Sequence, residues 1–166
     1  MIKLKLTFVL LFLISCSGLE FVYDKPDVLN KLRDKTEVSV SGNESSLISS
    51  YLLSKLNNKN KDSTYRLKVA SAKYKTATII EKDATASKYK IEYNIEYRLQ
   101  DTESGCLLFK ETIFSEGSFD SKSAGYSFGT DFSEKELMRN ILHKNIDEFL
   151  KNIESSEFST NCKNES

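Results

Sequence analysis

From Tyr89 to Gln100 the chain alternates without a break. Tyr89, Ile91, Tyr93, Ile95, Tyr97 and Leu99 are interleaved with Lys90, Glu92, Asn94, Glu96, Arg98 and Gln100. Successive side chains of a β-strand point to opposite faces, whereas a helix would scatter this set around its axis. The segment therefore predicts a long strand with one dry and one wet face. A dry face of that length must be covered, which demands neighbouring strands and at least one packed helix. The three tyrosines share their face with Ile91, Ile95 and Leu99, so core packing explains them better than a stacking platform for sugars or bases.

The flanking residues supply the rest of such a domain. Asp101 to Gly105 has hairpin chemistry, and Cys106 to about Ser118 returns as a strand. Upstream, Tyr65, Leu67 and Val69 alternate with Arg66, Lys68 and Ala70 in a strand reaching about Thr78, and Glu81-Lys82-Asp83 reads as a turn. A short strand is expected at Thr36–Val40. Gly42-Asn43 then breaks the chain, and Asn43 is placed to cap a helix whose apolar face is Leu47, Ile48, Tyr51, Leu52 and Leu56. Asp120–Phe132 reads as a polar loop. Ser133 with Glu136 forms a capping box opening a long helix whose stripe runs from Leu137 to Ile153. The expected fold class is α+β in the order β-α-β-β-β-α: a four-stranded, largely antiparallel or mixed sheet with two helices packed on one face. One domain over residues 36–154 fits, followed by a polar tail at 155–166.

The N-terminus has a different character. Lys3 and Lys5 precede a short apolar run, Leu6 to Ile14, well below the roughly 20 apolar residues of a spanning helix. The run ends in Leu13-Ile14-Ser15-Cys16. Charged n-region, short h-region, small residue and cysteine in that order read as a signal peptide over residues 1–15. The junction resembles the lipobox of bacterial lipoproteins, which implies diacylation of the Cys16 thiol and cleavage before it. Residues 16–35 then form a lipidated tether. Ser17 follows the cysteine, and in the enterobacterial sorting scheme, in which aspartate here favours inner-membrane retention, serine points to the outer membrane.

Chemistry-bearing patterns are sparse. Basic and acidic residues balance at 24 each, which gives no reason to expect nucleic acid as a partner. His143 is the only histidine, on a helix face with Arg139 and Asp147 opposite the apolar stripe, and reads as a surface residue. No nucleophile elbow, Gly-rich phosphate loop or CxxC pair occurs. No catalytic, cofactor-binding or metal-binding residue is therefore assigned, no cofactor is implied, and an enzyme is not expected. Cys106 and Cys162 could pair in an oxidising compartment. Because Cys162 lies in the polar tail and Cys106 opens a strand, two separate thiols are the favoured expectation.

Tyr89-Lys90-Ile91 through Tyr97-Arg98-Leu99-Gln100-Asp101, followed by Ser104-Gly105 and Leu107-Leu108-Phe109, resembles the central hairpin of LptE-type lipoproteins of alphaproteobacteria. Tyr126 and the helix from Ser133 sit where that family's pattern has a Tyr-containing loop and a terminal amphipathic helix. The resemblance implies an outer-membrane lipoprotein that plugs and helps assemble an LptD-like β-barrel and helps place lipopolysaccharide in the outer leaflet. Its domain would lie in the periplasm or the barrel lumen. It further implies contact with lipopolysaccharide through basic loop residues, for which the candidates are Lys82, Lys88 and Lys122, with ordinary solvated lysines the plainer alternative. Two other readings remain open: an auxiliary lipoprotein of a lipid-transport ABC system, and a surface-exposed structural or adhesive lipoprotein. Each buried acyl methylene contributes about 0.8 kcal/mol to membrane binding. Cys16→Ala should accordingly leave the domain folded but move it from the membrane to the soluble fraction, and unchanged fractionation would remove the anchor from the account.

Overall fold

A computed structural model describes residues 28–57, 63–80, 82, 86–121 and 127–156. The signal peptide, Cys16, Lys122, Tyr126 and Cys162 lie outside the described residues. The elements are α1 (Val28–Leu32), β1 (Thr36–Gly42), α2 (Ser45–Leu56), β2 (Tyr65–Ile80), β3 (Ala86–Asp101), β4 (Leu107–Asp120) and α3 (Ser127–Ser155). The four strands form one sheet in the order β1-β2-β3-β4, with β1 parallel to β2 and the other pairs antiparallel. The β-α-β-β-β-α order and mixed sheet follow the sequence expectation.

The register explains why the alternation in β3 organises the domain. Val69 is paired with Tyr97 and Leu67 with Leu99, while Ile95 faces Ile113 on the other side. Ile91, Tyr93, Ile95, Tyr97 and Leu99 are all fully buried. Ile48, Leu52 and Leu56 of α2 and Leu142, Ile146, Phe149 and Ile153 of α3 close over that face. Burying a side chain of this size contributes about 1.5–3 kcal/mol.

Two glycines permit close approaches. A Cβ on Gly42, which has φ 91°, would lie 2.0 Å from the Ser71 carbonyl oxygen where β1 ends against β2. A Cβ on Gly117 would meet Leu137 at 2.8 Å and Ile141 at 2.9 Å, so the missing side chain lets α3 lie down on β4.

Several details depart from the sequence reading. Leu32 of α1, inside the stretch expected to be tether, is 2 % exposed and packs into the core. Asn43 does not cap α2. Glu44 occupies the N-cap position in left-handed conformation without a side-chain cap, and Asn43 Oδ1 instead accepts the Lys73 amide at 3.1 Å. The cause is strand length: β1 stops at Gly42 while β2 continues, and that amide would otherwise lose its partner. The last helix starts at Ser127, inside the expected loop, so Ser133 and Glu136 sit within an established helix. No proline lies between Asp120 and Ser133 to stop it, and Gly129 costs only about 1 kcal/mol relative to alanine. Cys106 is disulfide-bonded, in place of the favoured separate thiol.

The last helix sends one polar side chain into the core, and it is fully engaged. Asn145 of α3 is completely buried; its Oδ1 accepts the Tyr97 hydroxyl at 2.7 Å, and its amide donates to the Ile113 carbonyl at 3.2 Å and Ser115 Oγ at 2.9 Å. The Tyr97 ring stacks on Phe149 with centroids 4.1 Å apart. Burial pushes both the Tyr97 and Tyr93 phenols well above their ordinary range, so both stay protonated. The Tyr93 hydroxyl, by contrast, is buried without a hydrogen-bond partner. The two tyrosines should therefore respond oppositely to loss of the oxygen. Tyr97→Phe leaves Asn145 Oδ1 unpaired and should cost about 1–3 kcal/mol, whereas Tyr93→Phe should be neutral or stabilising, as urea denaturation can read. Equal losses at both positions would contradict this division.

Candidate functional site

The sheet has two unlike ends. At the α1 end the strands are covered by α2 and the C-terminal half of α3, and Thr36, itself buried, donates its hydroxyl to the Leu32 carbonyl at 2.8 Å. At the opposite end β1 is absent and β2 and β3 run on beyond it, with Lys82 in the connection between them. The pairing slips between Ala77 and Ile79 and again between Ile79 and Ile80, which marks bulges. Bulges bend a strand and disturb its ladder, a common feature of sheet ends.

The slip brings up residues the sequence reading passed over. Ile79 is 49 % and Ile80 65 % exposed. With β2 expected to end near Thr78, the two isoleucines carried no signal beyond strand termination. Lys82 is exposed in the turn beside them, and Lys88 is half-buried on β3 opposite Asp120 of β4. Among the described residues no ion pair is recorded for Lys82 or Lys88. Nearby lysines do have partners: Lys75 reaches Glu134 at 2.6 Å and lies over the Tyr89 ring at 4.7 Å, and Lys73 meets Glu44 at 3.2 Å. Hydrogen bonds that Lys90 donates to Glu116 and Glu92 hold its ammonium above the usual pKa. Two of the three candidate lysines therefore share one end of the sheet, and the third, Lys122, lies outside the described residues.

This end places the lysines Lys82 and Lys88 beside the exposed aliphatic side chains of Ile79 and Ile80. Such a pairing suits an amphiphile with an anionic head: lysine engages phosphate as a point charge, and the isoleucines offer apolar contact. Elsewhere the chemistry is thin. Among the described residues no cluster of His, Cys, Asp and Glu could hold a metal ion, and no helix is long and apolar enough to cross a membrane. His143 stacks on the Tyr51 ring at 3.7 Å, and the Tyr51 hydroxyl donates to Asp147 at 3.1 Å, so these groups join α2 to α3. A hollow of 370 Å³ between β4 and α3 is lined by Phe114, Asn140, Lys144 and Glu148 among others, with no nucleophile–base pair in it.

Sheet order, helix placement and the open end define a small mixed-sheet α+β domain with one uncovered face and no assembled catalytic centre among its described residues. No family model matches the sequence, and no curated protein matches it. Solved structures do match. A candidate lipoprotein from Caulobacter crescentus CB15 superposes with a TM-score of 0.61 at 13 % identity, covering 77 % of this chain and 93 % of that one. Rare lipoprotein B from Shewanella oneidensis gives 0.55 at 14 % identity, covering 74 % and 95 %. A minor lipoprotein from Acinetobacter baumannii gives 0.54 at 13 % identity, covering 74 % and 91 %. At such identities the likeness establishes a shared fold.

Because Ile79 and Ile80 are exposed, their replacement should be invisible to stability. The double variant Ile79→Ser, Ile80→Ser should unfold within about 0.5 kcal/mol of the parent. A larger loss would make the pair part of the core and end its candidacy as a contact surface.

Proposed function

We propose that this chain is a non-enzymatic envelope lipoprotein of the LptE type, anchored through Cys16 in the outer membrane. In this reading it serves as plug and assembly partner of an LptD-like β-barrel that delivers lipopolysaccharide to the outer leaflet. The observation that carries the proposal is a coincidence of two independent signals. A lipobox-like junction precedes Cys16, and the domain behind it shares its fold with three solved structures whose names are those of lipoproteins. Supporting physics comes from the uncovered face of the sheet. Its charges are largely matched on the spot, by Arg66–Glu37 at 2.9 Å, Arg98–Glu96 at 2.6 Å, Lys110–Glu96 at 3.4 Å and Lys90–Glu116 at 2.7 Å. A hydrated, nearly neutral face suits the polar interior of an outer-membrane barrel. The Lys82–Lys88 end, with Ile79 and Ile80, supplies the matching chemistry for a phosphorylated glycolipid. The disulfide at Cys106 fits an oxidising compartment rather than a reducing cytosol.

The test is affinity purification of the full-length protein from detergent-solubilised membranes, followed by mass spectrometry. Recovery of one large outer-membrane barrel in near-stoichiometric amount is expected. An inner-membrane transporter complex would instead support the lipid-transport auxiliary, and recovery of neither, with loss of the domain on protease treatment of intact cells, would support a surface protein. Lys82→Glu with Lys88→Glu should keep the barrel association but weaken lipopolysaccharide binding by at least tenfold. Unchanged binding would return both lysines to the solvated surface.

A further inference from the structure

The two edges of the sheet differ in length: β1 has 7 residues and β4 has 14. A long edge strand offers a row of main-chain donors and acceptors to any strand laid beside it. Which residues offer them follows from one bond. Ser121 donates its amide to the Ser87 carbonyl at 2.8 Å, and the register pairs Lys88 with Asp120, so the odd-numbered residues of β4 turn their main chain toward β3. The amides and carbonyls of Lys110, Thr112, Phe114 and Glu116 therefore point away from the sheet. β4 carries no proline to interrupt this row, and its pairing with β3 is regular from Phe109 to Asp120. Phe114, in the middle of the row, is 57 % exposed.

We infer that β4 pairs antiparallel with β4 of a second copy of this chain, about a two-fold axis at Ile113, so that two sheets become one. The choice of occupant rests on charge. In this register Lys110 lies opposite Glu116 of the second copy, and Glu116 lies opposite its Lys110. Thr112 lies opposite Phe114, and the two Phe114 rings become diagonal neighbours, within reach of aromatic side chains. Lys110 already meets Glu96 at 3.4 Å, and Glu116 already meets Lys90 at 2.7 Å. The pairing thus joins Lys90, Glu116, Lys110 and Glu96 into a row of alternating sign that crosses the junction on each side of the axis. Moving the axis to Phe114 would set Lys110 against Ser118 and Thr112 against Glu116, and both cross-junction ion pairs would be lost.

The last helix repeats the pattern one layer away. Asn145 and Phe149 reach Tyr97 on β3, so α3 lies over the β3–β4 pair rather than beyond the edge. The hollow on its outer flank is lined by Phe114, Glu116, Lys144 and Glu148 among others. Asn145 donates to the Ile113 carbonyl, which places this part of α3 beside the axis. The two helices run antiparallel there, which brings Lys144 of one copy toward Glu148 of the other. An extended peptide of unrelated sequence would meet the main-chain row but neither charge pattern. The inference uses only β4 and α3 and does not rest on the lipoprotein reading.

Light scattering of the full chain purified in detergent, with the micelle contribution subtracted, tests it. A protein mass of two copies is expected, and a mass of one copy at every concentration would overturn the inference. Thr112→Pro removes an outward amide while keeping every bond to β3, so it should yield one copy with an unchanged far-UV spectrum. Lys110→Glu sets like charges face to face on both sides of the axis and should weaken the dimer by roughly tenfold. Adding Glu116→Lys to that chain restores opposite signs and should restore the dimer. A dimer indifferent to Thr112→Pro or to Lys110→Glu, or one that the added substitution fails to recover, would place the contact elsewhere and overturn the inference.

Discussion

Everything in this domain depends on keeping water off one side of β3. Five alternate side chains, Ile91 to Leu99, are completely buried, and no single neighbour could achieve that. Strands on both edges satisfy the backbone, α2 covers the β1 side, and α3 covers the β4 side. The parallel pairing of β1 with β2 follows from the same requirement. Returning the chain through a helix puts α2 on the dry face, where a tight hairpin would have left that side open. The other face keeps its charges in water, paired with one another, and therefore does not compete for cover.

The buried polar groups show how closely the cover is specified. Asn145 sits in the middle of the α3 apolar stripe, where a leucine would be expected. It is tolerated because each of its polar atoms finds a partner on Tyr97, Ile113 or Ser115. A helix rotated or slid by one turn would leave these groups unpaired, at a cost of about 1–3 kcal/mol for each. The asparagine therefore sets the register of helix on sheet, which apolar contacts alone fix loosely. Gly117 acts with it by setting how near the helix can come.

Much of this was legible in the sequence, for a reason. A strand with one dry face repeats every second residue, and a helix with one dry face every third or fourth, so β3, α2 and most of α3 announced themselves in their own residues. What escaped depended on partners distant in the chain. Asn43 looks like a helix cap, yet it serves the Lys73 amide because β1 is shorter than β2, a fact about pairing. Ser133 and Glu136 form a valid capping box, but nothing upstream forces the helix to begin there. Asn145 falls within the α3 stripe by spacing, but nothing local names the Tyr97, Ile113 and Ser115 partners that let a polar group be buried there. Of the candidate site, Lys82 was readable as a loop cation, whereas Lys88, expected in the same loop, lies half-buried on β3, because that strand starts at Ala86. The exposed Ile79 and Ile80 were not readable, because bulges arise from pairing mismatch between β2 and β3 and leave no local signature.

The two ends of the sheet divide the work in the proposed role. β3 alone has 16 residues, so the α1 end and the Lys82 end stand roughly 50 Å apart at the rise of an extended strand. The chain enters at Val28, on the packed end, where Leu32 and Thr36 join it to the core. At the far end Ile79, Ile80 and Lys82 are exposed, so they can meet a partner without weakening the fold. A protein that must be held at one place and make contact at another needs such a separation. A site built at the packed end would have required the same residues to close the core and to meet a ligand. The absence of β1 from the Lys82 end follows the same division: the short strand keeps α2 and its crossover near the α1 end and lets β2 and β3 run on past it.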